Sequence, residues 1–104
     1  MSRAALAALA FAAACGGGGA RPAAHAVEIR GFRFVPDTVA AAPGDTVVWT
    51  NADVVPHTAT ASGGGWDTGR IAASASGRVV IPRAGTYAYV CAYHPTMRGT
   101  LVVR

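Results

Sequence analysis

Hydrophobic and polar residues alternate along the chain from Val27 onward, and no segment shows the period of an amphipathic helix. The alternation begins at Val27 and Ile29 and extends to Phe32 and Phe34. Successive side chains of a strand point to opposite faces of its sheet, so this pattern predicts strands with one buried face. Further runs rich in β-branched and aromatic residues cover positions 46–50, 78–81, 86–90 and 100–103.

Glycine and proline separate these runs. Pro43 and Gly44 precede the run at 46–50, Pro82 ends the run at 78–81, and Gly85 precedes the run at 86–90. Short strands divided by turn residues predict an all-β fold, a Greek-key β-sandwich of about seven to eight strands. We expect its core to contain the bulky side chains of Phe34, Trp49, Tyr87 and Tyr89.

The N-terminal segment has a different pattern. Arg3 is followed by an uninterrupted apolar run at positions 4–14, which is too short to span a bilayer as a helix. This arrangement predicts a secretory signal peptide over residues 1–14. The three alanines before Cys15 resemble a bacterial lipobox, so we expect Cys15 to be lipidated.

Four glycines follow Cys15, and we expect residues 15–26 to form a flexible tether between the lipid and the domain. The domain itself is predicted over residues 27–104. Cleavage after Ala14 or after Ala26, which would release a soluble secreted protein, remains the alternative. Either outcome places the domain outside the cytoplasm.

Composition and charge narrow the class of partner. The chain has 104 residues, of which 52% are hydrophobic and 13% charged, as in one small globular domain. The formal net charge of +4 comes from nine basic residues, all arginine, which are scattered along the chain. Proteins that read nucleic acids concentrate such charges on one face or helix, so we expect no nucleic-acid partner.

The residues that follow the run at 86–90 carry metal-binding side chains. Cys91, His94 and Met97 have C-x-x-H-x-x-M spacing, and His57 supplies a second imidazole. Two imidazoles, one thiolate and a weak thioether are the ligand set of a blue-copper site. Each residue also has an ordinary role as a packed or hydrogen-bonded side chain, and Cys91 has the option of a disulfide with Cys15. Their occurrence together favours the metal.

The surrounding segments resemble the cupredoxins, the small blue-copper proteins that include plastocyanin and amicyanin. The resemblance covers positions 27–104, and its clearest stretches are 27–36, 43–51 and 85–91. The short spacing between the second histidine and the methionine is similar to that of amicyanins. The resemblance implies one type 1 copper ion held by His57, Cys91 and His94, with Met97 as the axial ligand. It also implies support from Asn51, Pro56, Thr58 and Pro95, although Thr58 stands where the family commonly has asparagine.

These features imply a one-electron carrier that cycles between Cu(II) and Cu(I), and not an enzyme. No serine–histidine–carboxylate set is evident, and Asp45, Asp53 and Asp67 lie in turn-like segments where solvated or capping roles are expected.

We expect a monomer in the bacterial periplasm or on the cell surface, anchored to a membrane by lipid. Its partners would be redox proteins that dock beside His94, on an apolar patch of Val54, Val55, Pro56 and Pro95. The alternative is copper binding for trafficking or storage.

Overall fold

The computed structural model describes residues 21–104, so the predicted signal peptide and Cys15 lie outside the described residues. These residues form two four-stranded β-sheets around one hydrophobic core. Eight strands and the lack of a helix in this part of the chain confirm the predicted all-β sandwich. Within residues 21–104 we find no helix with the length and apolar character that crossing a membrane requires.

The two sheets combine strands that are distant in sequence. The strands are β1 (Ala24–Ile29), β2 (Phe34–Val35), β3 (Thr38–Ala41), β4 (Thr46–Asn51), β5 (Thr60–Ala61), β6 (Ser76–Val80), β7 (Gly85–Cys91) and β8 (His94–Val103). One sheet has the order β2-β1-β4-β6 and the other has the order β3-β8-β7-β5. Strand β1 is parallel to β4, and β3 is parallel to β8, whereas the other neighbours are antiparallel.

The core follows the alternation of the strands. In β4, Val47, Trp49 and Asn51 are buried, and the residues between them are more exposed. Tyr89 in β7 is also fully buried, and it accepts a hydrogen bond from Trp49 Nε1 at 3.2 Å. Of the bulky residues predicted for the core, Phe34, Trp49 and Tyr89 are buried, and Tyr87 is partly buried and packs against them.

Strand β1 begins at Ala24, earlier than Val27, the predicted start of the domain. Its partner in the parallel pairing is β4, with Ala24 opposite Thr46. A side-chain contact reinforces this end of the strand, since His25 Nε2 lies 2.9 Å from Asp45 Oδ2. Residues 24–26 therefore belong to the sheet, although they were expected in the tether.

The other end of β1 also differs from the prediction. The strand stops at Ile29, and the chain reverses through Gly31 and Phe32 to enter the antiparallel strand β2. Both turn residues have positive φ, 62° and 59°, as in a two-residue type I′ hairpin turn. Phe32, which was expected to continue the strand, is 48% exposed.

Candidate metal centre

Three of the predicted ligands meet in the folded chain. One potential ligand atom from each of His57, Cys91 and His94 lies within 4.8 Å of the other two. Cys91 Sγ is 3.6 Å from His57 Nδ1 and 3.7 Å from His94 Nδ1. His57 and Cys91 are fully buried, and His94 is partly exposed. The cluster is therefore closed on its inner side and reaches the surface through one imidazole.

The spacing of these atoms suits a transition-metal ion. Metal–sulfur and metal–nitrogen bonds of about 2.3 and 2.0 Å, at angles of about 110–120°, separate sulfur from nitrogen by about 3.5–3.7 Å. The two observed separations, 3.6 and 3.7 Å, fall in this range. A thiolate with two imidazoles is a soft donor set, whereas Mg²⁺ and Ca²⁺ take oxygen ligands. The residues present therefore fit a copper ion.

A tight hairpin positions two of the donors. Cys91 ends β7, His94 begins β8, and the two residues are paired across a turn that contains only Ala92 and Tyr93. Met97 lies further along β8, where it is buried. It lines a cavity of about 260 Å³ whose walls also include Phe32 and Phe34.

The third donor comes from the segment that follows β4. His57 pairs with Ile71 through two backbone hydrogen bonds of 3.1 and 2.7 Å. Asn51, buried at the end of β4, donates from Nδ2 to the carbonyls of Val55 and Ile71 and accepts the N–H of Asp53. The predicted support residue Asn51 thus braces both the segment before His57 and the Ile71 backbone with which His57 pairs.

Asp53 contacts the site, although the sequence suggested only a turn residue. Its Oδ2 lies 2.9 Å from His57 Nε2, and the carboxylate accepts the N–H groups of Gly31 and Phe32 at 2.7 and 2.9 Å. A carboxylate can only accept, so Nε2–H donates and the Nδ1 lone pair faces Cys91. The sequence signal for this role is an acidic residue four positions before a candidate ligand.

The charge of Asp53 results from opposing effects. Burial by itself raises the pKa of Asp53, but the hydrogen bonds donated by the Phe32 and Gly31 N–H groups and the contact with His57 outweigh it. The pKa of this carboxyl is therefore lowered from its ordinary value. Asp53 thus remains an anion that can orient the imidazole.

Thr58 connects the two segments that carry the donors. Its hydroxyl oxygen accepts the N–H of Ala92 at 2.8 Å, and its own N–H is directed at Cys91 Sγ at 3.4 Å. A threonine thus ties the loops together at the position where the family commonly has asparagine. Pro56 is partly buried directly before His57, and Pro95 is exposed directly after His94.

Comparison with known proteins agrees with this geometry. A family model described as a cupredoxin-like domain matches residues 2–103. Amicyanin from Paracoccus versutus is 32% identical over 82 residues, which cover 74% of this chain and 62% of that protein. The chain therefore spans less than two thirds of the length of this curated relative.

Solved structures of amicyanin are also similar to this chain. The crystal structure of the Paracoccus versutus protein has a TM-score of 0.69 at 30% identity, covering 78% of this chain and 81% of that one. The Cu(I) form of a methionine-to-alanine mutant of amicyanin has a TM-score of 0.71 at 28% identity, covering 78% of this chain and 82% of that one.

Proposed function

Because this chain belongs to the cupredoxin-like family, we propose that it is a type 1 copper protein that carries single electrons between redox proteins. The observation that carries this proposal is the cluster of Cys91 Sγ with an imidazole nitrogen from each of His57 and His94, all within 4.8 Å. When bound, copper supplies the reversible Cu(II)/Cu(I) couple. His57, Cys91 and His94 would hold the ion strongly, and Met97 would hold it weakly.

The protein's own contribution is to fix the donor atoms in advance. Asp53 and the backbone of Ile71 hold His57, and the hairpin between β7 and β8 holds Cys91 and His94. Sites whose side chains are locked by surrounding hydrogen bonds keep their geometry during function. We infer that little of the protein has to move when an electron enters or leaves.

His94 is the partly exposed donor and supports a route for the electron through its ring. Exposed apolar side chains lie near it in sequence and on the neighbouring loop, namely Tyr93, Pro95 and Val54. We propose that a redox protein docks on this surface. A small apolar contact suits a carrier, because it holds the partner only briefly.

We further propose that residues 1–14 direct the domain out of the cytoplasm and that Cys15 anchors it to a membrane, with the periplasm or cell surface as its location. The apolar run after Arg3 and the residues before Cys15 support this proposal. The domain would act as a monomer and would not be an enzyme. Mass spectrometry of the protein from bacterial membranes tests the anchor, because lipidation adds acyl chains to an N-terminal Cys15.

Visible absorption of the protein titrated with Cu(II) tests the function. We expect an intense thiolate-to-copper band that a mild reductant bleaches and reoxidation restores. The band should vanish in Cys91→Ser and change in His57→Ala and His94→Ala. His25→Ala is the matched control, because His25 lies in β1 beside Asp45 and outside the cluster. Copper released on reduction would favour trafficking, and failure to bind copper would refute both functions.

A further inference from the structure

Phe32 occupies a backbone position that disfavours it. It is the second residue of the two-residue turn between β1 and β2 and has a φ of 59°. Glycine, asparagine and aspartate are the residues preferred at such positions, and a bulky side chain there is an outlier. An outlier of this kind persists when the surroundings enforce it, and it is often found at functional sites.

The ring of Phe32 contacts both candidate ligand imidazoles. Its centroid lies 5.1 Å from that of His57 and 4.9 Å from that of His94, and both contacts are edge-to-face, with interplanar angles of 87° and 86°. The two imidazole centroids are themselves 5.1 Å apart. Phe32 is 48% exposed, whereas His57 has no exposed surface. The ring therefore covers one side of the imidazole pair, while His94 keeps part of its own surface exposed.

Asp53 holds the turn that carries this ring. The same carboxylate that contacts His57 Nε2 accepts the backbone N–H groups of Gly31 and Phe32. The contacts form a closed circuit, because the turn is bound to Asp53, Asp53 to His57, and the His57 ring to the Phe32 ring. A shift of the turn would disturb the histidine, and a shift of the histidine would disturb the turn.

We propose that Phe32 is a positioning residue that seals the side of the imidazole pair it contacts against water and small competing ligands, and that Asp53 locks this seal. The inference rests on the proposed function, because it takes His57 and His94 as the ligands. A side chain that excludes water from one side of the histidines would also hinder small anions from reaching, on that side, a copper ion that these histidines would hold. The contacts that the ring makes in this position then offset the unfavourable φ of Phe32.

Histidine acylation in the full-length, metal-free chain tests the seal without copper. Diethyl pyrocarbonate would be added at fixed pH, and modification of each histidine followed by peptide mass spectrometry. The loss of two aromatic contacts in Phe32→Ala predicts roughly tenfold faster modification of His57 and His94. His25, in β1, should be unaffected and serves as the internal control. Val54→Ala, which truncates a side chain that is 92% exposed, is the matched variant.

Two further variants separate sealing from folding. In Phe32→Gly the relief of the positive φ offsets the packing lost with the ring, so the unfolding midpoint should change little, and yet the histidines should lose their protection. Phe32→Leu keeps most of the bulk and should restore most of the protection. Rates in Phe32→Ala and Phe32→Gly within about twofold of the wild type, a difference well below the expected loss, would overturn the proposal. The proposal would also be wrong if the histidines of Phe32→Leu were acylated as fast as those of Phe32→Ala.

The copper-loaded chain gives a second readout. Azide should alter the thiolate-to-copper band of Phe32→Gly at roughly a tenth of the concentration that the wild type requires, for the same energetic reason. Equal azide sensitivity would contradict the seal. If the wild type forms no such band, the proposed function fails, and the acylation rates still decide whether Phe32 protects the imidazoles.

Discussion

Replacing Gly99 by alanine should destabilise the sandwich through a single steric conflict. Gly99 lies in β8 opposite Tyr89 of β7. A Cβ atom at this position would stand 2.5 Å from Tyr89 Cε2 and 2.5 Å from the hydroxyl oxygen. The ring has little freedom to retreat, because it is fully buried and packs against Phe34, Trp49 and Trp66.

The cost can be worked out from these contacts. Ordinary carbon contact requires the ring to move by about 1 Å, and overpacking of this kind costs about 1–3 kcal/mol. The movement would also break the 3.2 Å hydrogen bond from Trp49 Nε1. A buried donor left unpaired costs about 1–3 kcal/mol. The change from glycine to alanine stabilises the fold by about 0.4–1 kcal/mol, because alanine restricts the conformations of the unfolded chain. With each contribution taken at the middle of its range, the net loss should be about 3 kcal/mol.

Guanidinium unfolding followed by tryptophan fluorescence measures this loss. With a slope of roughly 2 kcal/mol per molar denaturant, the midpoint should fall by roughly 1–2 M. Gly63→Ala is the matched control, because a Cβ there meets no atom within 4 Å, and its midpoint should stay or rise slightly. Equal midpoints for the two variants would refute the reasoning. In a Tyr89→Ala background, the penalty of Gly99→Ala should disappear, since the conflicting ring is gone.

Three other substitutions test the polar contacts. Hydrogen bonds from His25 and two backbone N–H groups lower the pKa of Asp45 to about 2. The ionised Asp45 carboxylate therefore stabilises the fold above pH ~4, and this contribution is lost as the pH falls towards 2. The urea midpoint of Asp45→Asn should be lower than that of the wild type at neutral pH, and it should change less across this pH window. Asn51→Ala leaves the Val55 carbonyl and the Asp53 N–H without this partner, and it removes one of the two donors to the Ile71 carbonyl, so it should cost about 2–4 kcal/mol in urea unfolding. Thr58→Val removes the acceptor of the Ala92 N–H and should cost about 1–2 kcal/mol in the metal-free chain, whereas Thr58→Ser should restore most of it.

The sequence predicts those strands that have one buried face. The runs at 46–50 and 86–90 correspond to β4 and β7, because core and solvent faces alternate there with a period of two. The candidate ligands can also be predicted from the sequence, because three of them, Cys91, His94 and Met97, lie close together in one short segment. The buried part of β8 is less evident, since Pro95 and Arg98 interrupt its apolar pattern, and only the positions after Gly99 were expected to be strand.

The turn at Phe32 was missed although the sequence contains a signal for it. The buried positions Val27 and Ile29 are odd, whereas Phe34 is even, and a strand cannot change the parity of its buried face without a bulge or a turn. The apolar side chain of Phe32 instead fits the alternating pattern and predicts a continuous strand. Its side chain instead packs against two imidazoles from distant segments, and this contact cannot be derived from the residues near Phe32.

The polar residues near the site connect stability with copper binding. Asn51, His57 and Thr58 are buried, and buried polar groups require hydrogen-bond partners. The bonds that satisfy them also hold His57 and the turn after Cys91, so substitutions at Asn51 and Thr58 should weaken folding and copper retention together. Phe32 acts from the exposed side, where half of its side chain is in solvent and the strain of its positive φ offsets the packing of the other half. Phe32→Gly should therefore alter access to the imidazoles while the unfolding midpoint is maintained, and this separation distinguishes a seal from a structural support.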